Sequence, residues 1–291
     1  MNRRLKENIA GYGFILPLIL GILIFTAIPF VMSLYYSFTE FNGINEPVWN
    51  GFKNYTVLLS NATFWNSLKA TAVYAVFSVV LSLFFSFLLG VFMNAKIPGI
   101  KVFRVLFYLP VVMPSVAAAA IWQDIFNPTY VGLANRLLKV LHIPAQSWFV
   151  SDKLALPTFI FMSLWGIGGG MLMWIAGFNG ISKSYYEVAE IEGAGRMRKL
   201  VTITLPMMTP IIFYNLVMNI IASLQMFTQA YLIGTNESTK FIAIRVYETA
   251  FNSWAMGLAC AMAWLLFVVI FLLTVLIFKT SKWVFYGDEG Y

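Results

Sequence analysis

Three stretches of this chain carry residue types at spacings that suit chemistry. The first runs Ser182-Lys183-Ser184-Tyr185-Tyr186-Glu187-Val188-Ala189-Glu190-Ile191-Glu192-Gly193-Ala194-Gly195-Arg196, between two long apolar runs. It sets carboxylates and cations beside apolar side chains, a mixture fitted to docking through ion pairs and contact rather than to bond-making. The second is Asn215, Asn219, Ser223 and Met226, at i, i+4, i+8 and i+11 and so on one face of a helix. Amides and hydroxyls within an apolar run are expensive facing lipid. They either hydrogen-bond a polar solute in a cavity or bond across to another helix. The third, Ser163-Leu164-Trp165-Gly166-Ile167-Gly168-Gly169-Gly170, removes side-chain volume. It serves close helix packing or leaves room for a bulky solute, with Ser163, Gly166 and Gly170 the candidate solute contacts. Trp165 and Trp174 could stack on a flat face of a solute, although residence at a membrane interface explains such residues equally well.

What is missing narrows the chemistry further. There is no G-x-x-x-x-G-K-[ST] phosphate loop, so the chain cannot hydrolyse ATP itself. No His, Cys and acidic residues gather at metal-ligand spacing, and no Ser-His-acid or Cys-His set converges, so no catalytic residue or metal ligand is assigned. A proton relay within a membrane needs titratable groups; here the acid nearest an apolar run is Asp124, and the lone His142 beside Pro144 reads as a loop residue. The single Cys260 lies in an apolar run, which rules out an internal disulfide and reads as a small core filler. The +7 net charge comes in short basic clusters between apolar runs, not as a continuous stripe, and excludes nucleic acid as a partner.

The elements that must position these residues follow from composition. Of 291 residues 60% are hydrophobic and 11% charged, against about 25% charged in soluble domains. This is a membrane protein. A spanning helix needs about 20 mostly apolar residues. The charge-free windows that approach or exceed this length are 8–39, 70–95, 105–123, 154–182, 200–236 and 249–278. They predict an all-α protein of six membrane spans at about 11–36, 70–94, 104–126, 155–178, 206–230 and 255–279. Together these form one domain over 11–280, with a loop at 181–206 and terminal segments 1–10 and 281–291. The first span is too long for a signal-peptide core and no A-x-A-like site follows it, so it is expected to be retained. Placing the N-terminus in the cytoplasm puts 12 of the 19 Lys and Arg residues on the inner side and 7 on the outer. Both termini are therefore expected to be cytoplasmic.

Within the 181–206 loop, Ser184 and Glu187 have capping-box spacing, so a short helix is expected to begin there. Gly193 and Gly195 should end it, since glycine tolerates a left-handed turn. A second helix should resume through Met197, Leu200, Val201 and Thr204, with Pro206 and Pro210 in the first turns of the fifth span.

The loop also resembles a family signature. Glu187-x-Ala189, Gly193 and Ile203-x-Leu205-Pro206 resemble the EAA-x3-G-x9-I-x-L-P pattern of ABC importer permeases, with Val188 where a second Ala is usual. Trp49-Asn50-Gly51-Phe52-Lys53-Asn54-Tyr55 is similar to the family's F-x-G-L-x-N-Y. Phe103-Arg104-Val105-Leu106-Phe107-Tyr108-Leu109-Pro110 is similar to its F-R-x-L-F-x-L-P, and Ala120-Ile121-Trp122 with Phe126-Asn127-Pro128 to its A-x-I-W-x-x-x-F-x-P. One departure is Gly234-Thr235-Asn236-Glu237, where the family often has a G-G-P turn.

The resemblance implies a type I (MetI-like) importer permease of the maltose and glycerol-phosphate kind, the first of two paired permeases, in the cytoplasmic membrane of a prokaryote. It implies a second permease subunit, two copies of an ATPase that carry the ATP and magnesium, and an extracytoplasmic solute-binding protein. This chain itself would bind no cofactor. The first loop helix would dock in the ATPase, with Glu187 facing a basic group, Val188 and Ala189 packing, and Gly193 permitting the turn. Asn219 and the positions after it would face the solute. A saccharide is the implied cargo. Glycerol phosphate, a peptide, or a channel or scaffold without an ATPase are the alternatives.

Overall fold

The computed structural model describes residues 3–95, 97–237 and 239–285. The chain divides into two compact units, one holding 1–62 and 245–268 and the other 63–244 and 269–291.

In the first unit, α1 (Arg3–Ile22) runs through a π-helical turn, Leu23–Ala27, into α2 (Ile28–Ser37). Residues Gly11–Ser37 make one apolar run long enough to cross a membrane, exposed over nearly all its length, with Ser37 buried at its end. A short hairpin follows, β1 (Thr39–Glu40) antiparallel to β2 (Val48–Trp49), with Thr39 opposite Trp49. Then comes α3 (Lys53–Ser60). Asn54 holds this corner: its buried amide Nδ2 donates to the Ser37 and Thr39 carbonyls, each at 2.9 Å. A buried amide without such partners would be strongly destabilising.

The second unit opens with α4 (Ala62–Met93), which starts well before the expected residue 70. Its first turns carry exposed Asn66 and Lys69, so the helix extends past its apolar part. Arg104 closes its far end, donating from Nε and Nη2 to the Met93 carbonyl at 2.9 and 2.6 Å.

The expected third span, 104–126, is two helices, α5 (Ile100–Val112) and α6 (Ser115–Ile125), bent by 100°. Met113 and Pro114 are extended, with ψ 135° at both, because a proline ring disfavours helical backbone at the residue before it. The signal stood in the sequence as Pro114, inside a window whose hydropathy alone read as one span.

Helix α7 (Leu133–Val140) packs under the following segment through buried Asn135, which donates to the Asn127 and Gln146 carbonyls and accepts from the Trp148 indole. The fourth span, expected at 155–178, is α8 (Ala155–Ser163), a 3-10 turn Leu164–Gly166, and α9 (Gly168–Gly180), bent by 45° at the glycine-rich stretch. The loop at 181–206 carries α10 (Lys183–Ile191), α11 (Arg196–Lys199), a π-helical turn Leu200–Thr204 and α12 (Leu205–Met207).

The fifth span, expected at 206–230, is α13 (Thr209–Leu224) and α14 (Thr228–Ile233), interrupted at Gln225–Phe227. After it, Asn236 fixes the turn where the family often has G-G-P. Its amide donates to the Val150 carbonyl and Asp152 Oδ1, both at 3.0 Å, while its oxygen accepts from Thr239. Last come α15 (Ile242–Phe251) and α16 (Met256–Lys279). Among the described residues four helical segments are long and apolar enough to cross a membrane, and counting each of the two bent pairs as one span gives six.

Candidate functional site: an exposed helical loop and a polar cavity

The loop is built locally. Ile181 and Ser182 are extended, and the Ser182 hydroxyl accepts from the Ser184 amide at 3.4 Å, so Ser182 is the N-cap. The helix therefore starts two residues earlier than the Ser184–Glu187 spacing predicted, and no capping box forms. Its end is as Gly193 predicted. Gly193 sits at φ +75°, its N–H donates to the Glu190 carbonyl at 3.0 Å, and the Ala194 N–H donates to the Ala189 carbonyl at 2.8 Å. This is a Schellman motif. Gly195 has φ −69° and instead caps the start of α11.

Two side-chain links hold the arms of the loop together. The Tyr186 and Thr204 hydroxyls share a hydrogen bond at 2.9 Å, and Lys199 Nζ lies 2.7 Å from Glu190 Oε1. The Lys199 ammonium, donating to Glu190 and attracting its charge, holds that carboxyl below its ordinary range.

The base is apolar. Tyr186 and Ile203 pack against Trp174, Ile181 and Met208, joining the loop to α9 and α13. Leu205 is half-buried, and Pro206 is exposed at the start of α12 just after the π turn. A proline lacks the N–H that a regular helix needs, and a wider turn is a common local remedy.

The tip is the opposite. Glu187 and Val188 are exposed and Ala189 is half-buried, while Ile191 is 88% and Met197 74% exposed. A single exposed apolar residue means little; several beside free carboxylates on a braced loop mark an interaction surface.

The second feature is a cavity of about 180 Å³ in the larger unit, where Tyr74, Ser78 and Ser82 of α4 face Ser163, Asn219 and Ser223. The hydroxyls of Ser78, Ser163 and Ser223 donate to their own helix carbonyls, and Asn219 Nδ2 donates to the Asn215 carbonyl at 2.8 Å. What they leave free is mainly acceptor oxygen, suited to hydroxyl donors. Among the described residues no charged side chain lines this cavity.

Four expected solute contacts lie elsewhere. Asn215 is 6% exposed and spends its amide on the Ile211 carbonyl. Met226 packs on the aromatic cluster of Tyr74, Trp122, Phe126, Phe159 and Phe241. A β-carbon on Gly170 would come within 2.9 Å of the Ser86 side chain, so this glycine lets α9 approach α4. Gly166 sits exposed at the bend. One-face periodicity failed here because the helix breaks at Gln225, which turns Met226 off the face that Asn219 and Ser223 share.

Tyr74, Ser78 and Ser82 were missed. Hydroxyls on a helix satisfy themselves on the preceding turn, so nothing in the sequence singles them out. The two tryptophans also divide. The Trp174 indole donates to Ser86 Oγ at 2.9 Å, whereas the buried Trp165 N–H has no partner among the described residues.

Comparison with known proteins agrees with this architecture. Over 98% of its length the chain is 40% identical to the probable ABC transporter permease protein YesP of Bacillus subtilis, covering 94% of that protein. It is 29% identical to the probable starch degradation products transport system permease protein AmyD of Thermoanaerobacterium thermosulfurigenes, over 95% of this chain and 96% of the other. Its fold matches a chain in the crystal structure of a bacterial ABC transporter that imports the acidic polysaccharide alginate, with a TM-score of 0.86, 21% identity, and 96% and 97% of the two chains covered. Residues 82–282 match the family described as "Binding-protein-dependent transport system inner membrane component". With that match spanning most of its length and the braced loop lying inside it, the chain belongs to this family of ABC importer permeases.

Proposed function

We propose that this protein is the transmembrane subunit of an ATP-driven importer, moving a neutral sugar or oligosaccharide handed over by an extracytoplasmic binding protein. The observation that carries the reading is the exposed tip of α10, Glu187 and Val188, on a base that Tyr186, Ile203 and Thr204 tie to the helices below. A rigid connection of this kind passes the motion of a separate ATPase into the spans. ATP and magnesium belong to that ATPase, present in two copies. Glu187 faces a basic group on it, Val188 and Ala189 form the contact, and Gly193 shapes the turn. Ile203, Leu205 and Pro206 carry the motion into α13.

The loop and both termini are cytoplasmic, as the 12 to 7 division of cations supports. The cavity of about 180 Å³ is smaller than the roughly 300–1,000 Å³ usual for ligand sites. It reads as one wall of the path, the second permease subunit supplying the other.

The saccharide reading draws on the acceptor-rich, uncharged lining and on the names of relatives. AmyD is described as a probable permease of a starch degradation products transport system, and a 27% identical relative from Thermococcus litoralis as a trehalose/maltose transport system permease. The test is ATPase activity of the reconstituted complex, with and without binding protein, across maltotetraose, arabinotetraose, xylotetraose, chitotetraose and trigalacturonate. Stimulation by a neutral member is expected. Purification of this chain with its partner permease but without any ATPase would refute the coupling role. Stimulation by trigalacturonate alone would refute the neutral cargo.

A further inference from the structure

A larger cavity, about 640 Å³, lies in the smaller unit between the segment after α2 and the turn before α16. Its size falls within the range of ligand sites, and its walls are braced. The β1–β2 hairpin forms one side, with Asn54 clamping the backbone below it. The Gly257 N–H donates to the Phe41 carbonyl at 3.0 Å, and Gly43, at φ +87°, brings its backbone against Met256. Phe38 stacks on Trp49 beneath the loop.

Against that rigid frame, the groups lining the cavity are underused. Asn42 spends its oxygen on the Ile44 and Asn45 backbone N–H groups, whereas the side-chain amide of Asn45, the Glu46 carboxylate and the Trp254 indole are exposed and make no hydrogen bond to the described residues. Glu40 and Lys53 meet only loosely, at 3.8 Å, with both side chains largely exposed.

Trp254 supplies a second, independent sign. It has φ +52°, a left-handed conformation uncommon for any residue but glycine and a true outlier for a bulky one. The backbone around it is locked, with Ser253 N–H donating to the Glu248 carbonyl and Ala255 N–H to the Thr249 carbonyl, both at 3.0 Å. A strained position that keeps an aromatic ring 56% exposed at a polar cavity is an outlier of the kind that marks function.

We propose that this cavity is a second saccharide site, separate from the one at Asn219, that holds a neutral oligosaccharide. The claim rests on the saccharide reading above. Amides and carboxylates offer paired donors and acceptors in fixed planes that match vicinal hydroxyls, and the Trp254 ring offers an apolar face for a pyranose. Two carboxylates against one ammonium leave the cavity net negative, which turns away uronates and phosphates.

The test uses the complete complex of this chain, its partner permease and the ATPase, purified without binding protein. Maltotetraose, arabinotetraose, xylotetraose, chitotetraose and trigalacturonate are each titrated by equilibrium dialysis and saturation-transfer NMR. At least one neutral tetrasaccharide should bind, trigalacturonate should not, and Glu46→Gln and Trp254→Ala should each weaken that binding by about tenfold or more. Trp254→Gly suits the left-handed backbone and removes only the ring. It should keep the melting temperature and still lose the saccharide, which separates recognition from folding.

Equal binding by wild type and all three variants overturns the proposal, as does failure of every neutral tetrasaccharide to bind. Retained saccharide binding with weakened capture of the binding protein also overturns it, making the cavity a protein contact. If no saccharide stimulates the ATPase even with binding protein, the saccharide reading itself falls. If stimulation is normal while the variants bind like wild type, only the second site falls.

Discussion

Gly193 allows a quantitative test of whether the loop works as a shaped rigid element. It sits at φ +75° with no heavy atom within 4 Å of where a β-carbon would stand. Alanine there meets no clash, and the whole effect is backbone. A left-handed conformation costs an L-residue roughly 1–2 kcal/mol, a factor of about 5–30 in the population of the native turn. Asparagine tolerates that region far better, and valine, branched at Cβ, tolerates it worst. The two bonds of the motif, from Gly193 to Glu190 and from Ala194 to Ala189, must break or strain to relieve the cost.

The expected order of ATPase affinity is therefore Gly, Asn, Ala, Val, with Gly193→Ala weakening it about fivefold to thirtyfold. Affinity is read by titrating purified ATPase onto the permease pair in nanodiscs, and ATP-driven uptake is measured alongside. Membrane insertion should not change, since the turn lies outside the spans. Gly193→Ala with wild-type affinity and uptake would refute the reasoning, and so would Gly193→Asn as damaging as Gly193→Val.

Three further outcomes follow from the same geometry. Glu187→Lys should abolish ATP-driven uptake while leaving the protein inserted and its melting temperature unchanged, because the side chain is exposed and bonds to none of the described residues; normal uptake would remove Glu187 from the docking contact. Asn219→Ala should raise the apparent KM for the transported saccharide by about fivefold to tenfold, the worth of one neutral hydrogen bond, with little loss of stability. Asn215→Ala, buried and off the cavity, should do the reverse, lowering the melting temperature with the KM unchanged. The Glu190–Lys199 link depresses the Glu190 pKa. Its contribution is thus fully present above the ordinary carboxylate range and is lost only as pH falls below that range. Uptake by wild type and Glu190→Gln should differ by a constant factor from neutral pH down into that range and converge only below it, and since the carboxylate is exposed the difference should shrink with salt. Convergence near neutral pH would show that the pair is not formed.

Much of the loop and of the span count was legible beforehand because both depend on neighbours in sequence. Charge-free length decides whether a segment can cross, and the last such window is occupied by the uninterrupted helix α16 (Met256–Lys279). Gly193 ends α10 because a left-handed turn is a property of one backbone position. Where local rules compete, legibility fell. Ser182 displaced Ser184 as cap because the chain leaves α9 extended at Ile181, so the nearest hydroxyl wins. Pro114 overrode a hydropathy that read as one straight span.

The cavity was only half legible. Asn219 and Ser223 stood out as polar groups in an apolar run. Tyr74, Ser78 and Ser82 look like ordinary residues of a helix, and become a wall only because α4 lies across from α13. By itself the sequence determined that this chain crosses a membrane as helices, contains no G-x-x-x-x-G-K-[ST] motif and presents a turned, charged loop. Those are properties of transfer from water and of local backbone, summed along one dimension. The tertiary structure alone decided which polar groups share a cavity, that Gly170 serves packing against Ser86, and that Trp254 stands at a braced polar hollow. Each of these depends on which distant segment lies opposite, and helix packing settles that.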